Sequence, residues 1–198
     1  SKEYDGTALV NGTTPVEVSG DGWAAGEGAT YAFTGSQTVV GGSANAFTYE
    51  LNSNTKADNY TITKTDGTLK VTDRAKKYQV TIKANSTSTT YDGRVHSAKG
   101  LESTTVIADG HEYTVEGLTT SDPKYTDAGE YDNLITGTPV IRDAAGNDVT
   151  SQFEVTTVDG KLTIAKRDVT IKPVKASKQY DGTALVATDF EVVSGSFA

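Results

Sequence analysis

An all-β protein built from tandem repeats of about 88 residues is what the sequence predicts, and three observations carry the prediction. The opening "SKEYDGTALV" (1–10) returns near the other end as "SKQYDGTALV" (177–186), with one weaker copy between them. The Tyr-Asp-Gly triplets therefore begin at Tyr4, Tyr91 and Tyr180, which are 87 and 89 residues apart. Self-similarity at a fixed period decides architecture before any local reading. Apolar residues also alternate with polar ones over short runs, the period of a half-buried strand. No stretch keeps a helical period for ten residues, and Gly and Asp punctuate the runs at roughly even spacing, as in an all-β sandwich.

The elements follow in chain order. "TYAF" (30–33) and "AFTYEL" (46–51) alternate in the first repeat, and "YQVTIKA" (78–84), "TTVIA" (104–108), "EYTVE" (112–116) and "LITGTPVI" (134–141) in the second. "NYTITKTDGTLKVT" (59–72) aligns with "QFEVTTVDGKLTIA" (152–165), Tyr60 opposite Phe153 and Leu69 opposite Leu162. In both, alternating residues flank Asp-Gly, the pattern of a β-hairpin whose Gly67 or Gly160 takes a positive φ. "QVTIKA" (79–84) aligns with "DVTIKP" (168–173). The chain thus divides into a first repeat over 1–77, a complete second repeat over 78–166, and the opening of a third over 167–198. Ser1 aligns with Ser88, so the first repeat begins without the strand that Val80–Ile82 supplies to the second. That predicts an open sheet edge or an uncovered core face.

"TDAGEY" (126–131) sharpens the fold class. Asp127-x-Gly129-x-Tyr131 has the form of a tyrosine corner, in which a phenol bonds back to the backbone as the chain enters a strand, so the units are expected to be immunoglobulin-like sandwiches. A core aromatic at a turn is the plainer reading of Tyr131, and a β-grasp-like repeat is the alternative fold.

Composition excludes several functions. A net charge of −8 without a basic patch argues against nucleic acid, because phosphate binding needs clustered Lys and Arg. Zero Cys removes disulfides, thiolate metal sites and thiol nucleophiles. No run of 18 apolar residues and no signal peptide is present, so no membrane insertion is expected of this segment, which reads as an internal piece of a longer exported precursor.

The Tyr-Asp-Gly triplets (Tyr4, Asp5, Gly6; Tyr91, Asp92, Gly93; Tyr180, Asp181, Gly182) read as structural turns. Asp bonds the backbone just ahead, Gly takes a positive φ, and Tyr packs at the edge of the sandwich. His96 and His111 sit in no metal spacing and beside no nucleophile, so neither catalysis nor a cofactor is expected. "RDAAGND" (142–148) departs from a twelve-residue calcium loop and reads as an Asx turn around Asp143. Trp23, the one tryptophan, lies in a Gly-rich stretch and is the candidate glycan contact, with a cap on the sandwich end as the plainer reading. Junctions are short and basic, "TDRAKKYQ" (72–79) and "AKRD" (165–168), and Lys76, Lys77, Lys166 and Arg167 are expected to pair with acidic loops of neighbouring repeats.

"K-x-Tyr-Asp-Gly-Thr", then "TGSQTVVGGSANAF" (34–47), then "NYTITKTDGTLKVT" (59–72) resembles the YDG and MBG-type tandem repeats of large bacterial surface proteins. The resemblance covers essentially the whole chain, although the second repeat departs from the middle motif with "EGLTTSDPKYTDAGEY" (116–131). It implies a non-catalytic module of an extracellular, adhesin-like protein, most often of Gram-positive cell surfaces. The expected role is a stalk whose partners are neighbouring repeats of the same chain. A module that itself engages a host glycan or protein is the alternative.

Overall fold

A computed structural model describes residues 1–12 and 15–198. Strands hold 47% of the chain and, among the described residues, helix is confined to two 3-10 turns, Ala57–Asn59 and Thr150–Gln152, so the protein is predominantly β. The first repeat carries β1 (Lys2–Glu3), β2 (Leu9–Val10), β3 (Ala29–Phe33), β4 (Ser36–Gln37), β5 (Gly41–Asn45), β6 (Phe47–Leu51) and β7 (Gly67–Thr72). The second begins with β8 (Tyr78–Lys83), β9 (Thr87–Thr90), β10 (His96–Ser97), β11 (Thr105–Ala108) and β12 (His111–Thr120). It continues with β13 (Lys124–Tyr125), β14 (Gly129–Asn133), β15 (Ile135–Arg142), β16 (Phe153–Val158) and β17 (Gly160–Ala165). β18 (Thr170–Pro173) and β19 (Phe190–Ser194) follow.

Packing collects these strands into two compact units that partition the chain differently from the repeat period. Ser1–Val80, Thr105–Glu116 and Pro139–Val155 form one unit, and Thr81–Thr104, Gly117–Thr138 and Thr156–Ala198 the other. Four of the five dividing points fall inside β8, β12, β15 and β16, and the fifth falls at the start of β11.

In the first unit, β7 lies between β1, which it pairs in parallel, and β5, which it pairs antiparallel. Alternation along β7 buries Leu69 and Val71. β3 and β6 form an antiparallel ribbon that places Tyr31 opposite Tyr49 and Phe33 opposite Phe47. β11 and β12 form a hairpin around Asp109-Gly110, both in the left-handed region at φ 46° and 78°. This is the two-residue turn whose handedness matches the strand twist. The core holds Tyr4, Tyr113, Val115, Ile141, Val149 and Phe153, with Tyr113 edge-on to Phe153 at 4.9 Å between centroids.

In the second unit, β17 is central in turn, parallel to β9 and antiparallel to β14. Leu162 and Ile164 of β17 and Ala98 form the core, against half-buried Tyr91 and Tyr131. β18 and β19 pair only with each other and are exposed along their length.

The repeat is visible in the register. Lys2 faces Val71 and Thr89 faces Ile164, while Gly41 faces Val71 and Gly129 faces Ile164. Asn45 faces Gly67 as Asn133 faces Gly160. β2 with β4 matches β10 with β13, Leu9 and Gln37 standing where His96 and Tyr125 stand. Gly41 and Gly129, Asn45 and Asn133, and Gly67 and Gly160 keep their identity, while Lys2 and Thr89 or Leu9 and His96 differ, since the ladder bonds themselves are made by the backbone.

Two expectations are overturned. Asp159-Gly160 is not a hairpin, since β16 pairs with β8 while β17 joins β14 and β9. Asp66-Gly67 is not one either, because residues 60–65 form no strand. A two-residue hairpin needs left-handed backbone, and none of these four residues has it. Asp159 is instead a corner between sheets, its carboxylate accepting the Ile135 N–H at 2.7 Å. Gly160 is required by close approach, since a Cβ there would collide with the Asn85 carbonyl oxygen.

Candidate functional site

The Tyr-Asp-Gly turn is built the same way three times. Gly6, Gly93 and Gly182 have φ of 82°, 77° and 77°. Asp5 accepts the Thr7 N–H, Asp92 the Arg94 N–H and Asp181 the Thr183 N–H, each at 2.9 Å, closing an Asx turn. A basic side chain then docks on each carboxylate. Lys2 reaches Asp5 at 2.6 Å and Lys178 reaches Asp181 at 2.8 Å. The second repeat has Thr89 where Lys2 would fall, and His96 supplies the contact from the other side, Nε2 to Asp92 Oδ1 at 2.8 Å.

These contacts hold the carboxyls in the charged form. Burial pushes Asp5 upward, but Lys2 and the Thr7 donors outweigh it and bring it down to about 2. Lys178 and Thr183 bring Asp181 to about 2, and His96 and the Arg94 N–H lower Asp92. A depressed carboxyl contributes stability that is complete above the unfolded-state value and is lost as pH falls through the folded one. For Asp5 the window runs from the ordinary 3.8 down to about 2. Carboxyl-detected NMR should place the Asp5 midpoint near the lower figure, and Lys2→Met should move it upward. A midpoint already at the ordinary value in the unmodified chain would contradict this electrostatic account.

The tyrosines differ where the turns agree. Tyr4 is fully buried, its hydroxyl 3.5 Å from that of Tyr113, and burial first and this neighbour second raise its pKa. Tyr91 is half-buried and Tyr180 is 95% exposed. The expectation of Tyr at the edge of the fold therefore fails for Tyr4, which is a core residue beside Tyr113 of β12. Gly6 is held by this packing as well as by its φ, since a Cβ would lie 2.7 Å from the Tyr113 hydroxyl and 2.9 Å from the His111 ring.

Arg74, in the first junction, locks the arrangement. Its guanidinium stacks 3.8 Å from the Tyr78 ring, and Nη1 donates to the Tyr4 carbonyl at 2.9 Å and the Tyr78 hydroxyl at 2.8 Å. The Tyr78 hydroxyl donates to Asp109 at 2.6 Å, and the Arg74 backbone N–H donates to the side-chain oxygen of Gln152, which is 1% exposed, at 2.9 Å. A planar, always-charged fork suits this mixed stacking and carbonyl recognition better than a lysine. Lys76, Lys77, Lys166 and Arg167 make no ion pair among the described residues, contrary to the expectation; Arg74, held by the Tyr78 ring and the Tyr4 carbonyl, takes the role at 3.6 Å from Asp109.

The other singled-out residues are each placed. The Tyr131 hydroxyl donates to the Asp127 carbonyl at 3.1 Å, a tyrosine-corner hydrogen bond, and its ring stacks on Tyr125 at 3.7 Å. Trp23 is half-buried, edge-on to Tyr60 at 4.9 Å, with Nε1 donating to the Tyr31 hydroxyl at 3.2 Å. Asp143 accepts the backbone N–H groups of Ala145 and Asn147 at 3.0 and 2.8 Å, the expected Asx turn. Among the described residues no three His, Cys, Asp or Glu side chains gather as metal ligands, and no helix is long and apolar enough to cross a membrane.

Asn133 was legible only through the repeat. It is fully buried, accepts the Asp122 N–H at 3.1 Å and donates to the carbonyls of Asn85 at 3.1 Å and Gly100 at 3.4 Å. Alignment of "SANAF" (43–47) with "YDNLI" (131–135) puts Asn45 at the same position, the one signal that could have found the pair. No family model, curated protein or solved structure matches the chain.

Proposed function

We propose that the chain is a non-catalytic stalk module of an extracellular bacterial surface adhesin, projecting a distal binding region. The observation that supports this reading most is the parallel pairing of each repeat's Tyr-Asp-Gly strand with its last strand, β1 with β7 and β9 with β17. Parallel neighbours point the same way, so the start of one and the end of the other lie at opposite ends of the ladder. Tension entering at one and leaving at the other loads all rungs together in shear, whereas an antiparallel pair would unzip rung by rung. The Tyr91 N–H to Ala165 bond at 2.9 Å extends this clamp beyond β9, as Tyr4 to Thr72 at 2.9 Å extends that of β1. A stalk needs that geometry and no reactive group.

The chain has no cysteine, so engineered thiols give unique handles. Pulling between Ser86→Cys and Lys166→Cys should require several-fold more force than pulling between Ser86→Cys and Val158→Cys, which peels the same ladder. The Ser86 change is common to both pairs. Equal forces would remove the load-bearing reading.

One observation favours the second reading, in which the repeats themselves bind a host glycan or protein. The β3–β6 ribbon presents Tyr31, Phe33, Phe47 and Tyr49 half-exposed on one face. The second repeat has Thr119, Ser121, Ile135 and Gly137 at the corresponding positions. An aromatic face confined to one repeat is not demanded by the shared fold. Trp23 stands at this ribbon through its bond to Tyr31.

A further inference from the structure

We infer that Tyr125 and Tyr131 form an oxidative cross-linking site, a pair of phenols that hydrogen peroxide, through a haem peroxidase, converts into dityrosine within the chain. Their rings stack face to face at 3.7 Å between centroids and 6° between planes. Aromatic pairs ordinarily prefer offset or edge-on arrangements, and the other ring pairs among the described residues are inclined by 44° to 70°. The stack is anchored from one side. Tyr131 packs against the core of Ala98, Leu162 and Ile164, and its hydroxyl donates to the Asp127 carbonyl at 3.1 Å. Gly129 leaves the room that ring needs, since a Cβ there would stand 2.9 Å from the Tyr131 hydroxyl. Tyr125 is 46% exposed, so the ring that meets solvent is fixed on a ring that the core holds.

The shared fold does not demand the pair. Gln37 holds the place of Tyr125, facing Leu9 as Tyr125 faces His96, and Ser43 holds that of Tyr131, facing Leu69 as Tyr131 faces Leu162. Gln37 and Ser43 are both half-buried in the first unit, which also contains Thr105–Glu116 and Pro139–Val155 of the following repeat. These positions therefore belong to the surface with a following repeat in place, and the accessibility of the pair does not depend on how far the chain extends.

Stacking favours both stages of the reaction. A radical on one ring is stabilised by the π electrons of the other, and two radicals made in one stack need no diffusion to meet. Each phenol gives up one electron and its hydroxyl proton. The two phenoxyl radicals join through ring carbons ortho to oxygen, the hydrogens on those carbons leave as protons, and the oxygens take up protons again. Two C–H bonds are broken and one C–C bond is formed, while two electrons and two protons pass to hydrogen peroxide, which becomes two waters. Tyr125, open to solvent, is the ring that tilts as the bond forms. The product staples β13 to β14 across residues 126–130, in a chain that has no cysteine for a disulfide. Tyr180 is more exposed but has no ring beside it among the described residues, and the Tyr4 and Tyr113 hydroxyls meet where both residues are buried.

The dilute chain, treated with a haem peroxidase and limiting hydrogen peroxide, should lose two hydrogens in intact mass, gain dityrosine fluorescence and run as a monomer on a denaturing gel. Trypsin releases residues 125–142 as one peptide, and a further cut after Asp127 or Glu130 should leave its halves joined. Tyr125→Phe, a change at an exposed position, should abolish the joined product with an unchanged far-ultraviolet circular dichroism spectrum, and Tyr131→Phe should abolish it from the anchored side. Tyr180→Phe should leave its yield at that of the parent. Halves that separate after the cut, dityrosine formed only between chains, or an undiminished joined product in Tyr125→Phe would each overturn the proposal.

Discussion

Gly160→Val is expected to destabilise the second unit by about 3 kcal/mol or more, near the upper end of the cost of forcing atoms into a filled site, while Gly67→Val stays within about 0.5 kcal/mol. The added Cβ at 160 collides with the Asn85 carbonyl and lies 2.8 Å from that of Ala84, both backbone atoms of a chain segment tied down by Asn133 and Val158. Relief requires moving that segment and breaking the bond to Asn133, whose amide would be left buried. At 67 the new side chain enters an exposed strand position with ordinary contacts, where a β-branched residue is at home. Urea denaturation gives the two costs, and hydrogen exchange locates them. Protection should fall in β9, β14 and β17 for Gly160→Val. Equal costs at the two glycines would mean that both are needed for turn conformation, which their φ values exclude.

The three triplet tyrosines form the second series. Tyr4→Ala should cost on the order of 3–5 kcal/mol, as for other large aromatic truncations in a core. It removes a side chain with no exposed surface that packs beside Tyr113 and under the Arg74 clamp. Tyr91→Ala should cost less, because that ring is half-exposed, and Tyr180→Ala should fall within about 0.5 kcal/mol, as surface changes do. Tyr4→Phe should cost only about 1 kcal/mol, since the one partner of the hydroxyl is distant at 3.5 Å. Trp23 is the sole tryptophan and lies in the same unit as Tyr4, so its fluorescence in urea follows the largest of these changes directly. Three equal alanine costs would contradict the packing differences on which the series depends.

The two series rest on the same lesson. Asp-Gly occurs at 5–6, 21–22, 66–67, 92–93, 109–110, 159–160 and 181–182. Local chemistry marks each as a place where the chain can turn, and at the triplets it also dictates the turn, because an Asx bond and a positive-φ glycine are satisfied within a few residues. It does not say which of them joins two neighbouring strands. Only Asp109-Gly110 does so as a two-residue hairpin, since Thr105–Ala108 and His111–Thr114 find each other across it. At Asp159-Gly160 the flanking strands find other partners, and the glycine answers to a carbonyl 75 residues away in sequence.

The sequence by itself determined what is local or periodic: the β class, the repeat of about 88 residues, the conformation of the Tyr-Asp-Gly turns, the tyrosine-corner bond of Tyr131 and the Asx turn at Asp143. Each is made by residues within a few positions or repeated at a fixed offset, so neighbours in the chain suffice to specify it. Tertiary structure alone decided that the units cut across the repeats, that Tyr4 is core while Tyr180 is surface, that Arg74 and not its lysine neighbours closes the junction, and that "YTITKT" is not a strand although "FEVTTV" is. The physical reason is common to all four. Burial and strand pairing belong to the partner as much as to the residue, and segments with the same alternation acquire different structures when only one of them is paired.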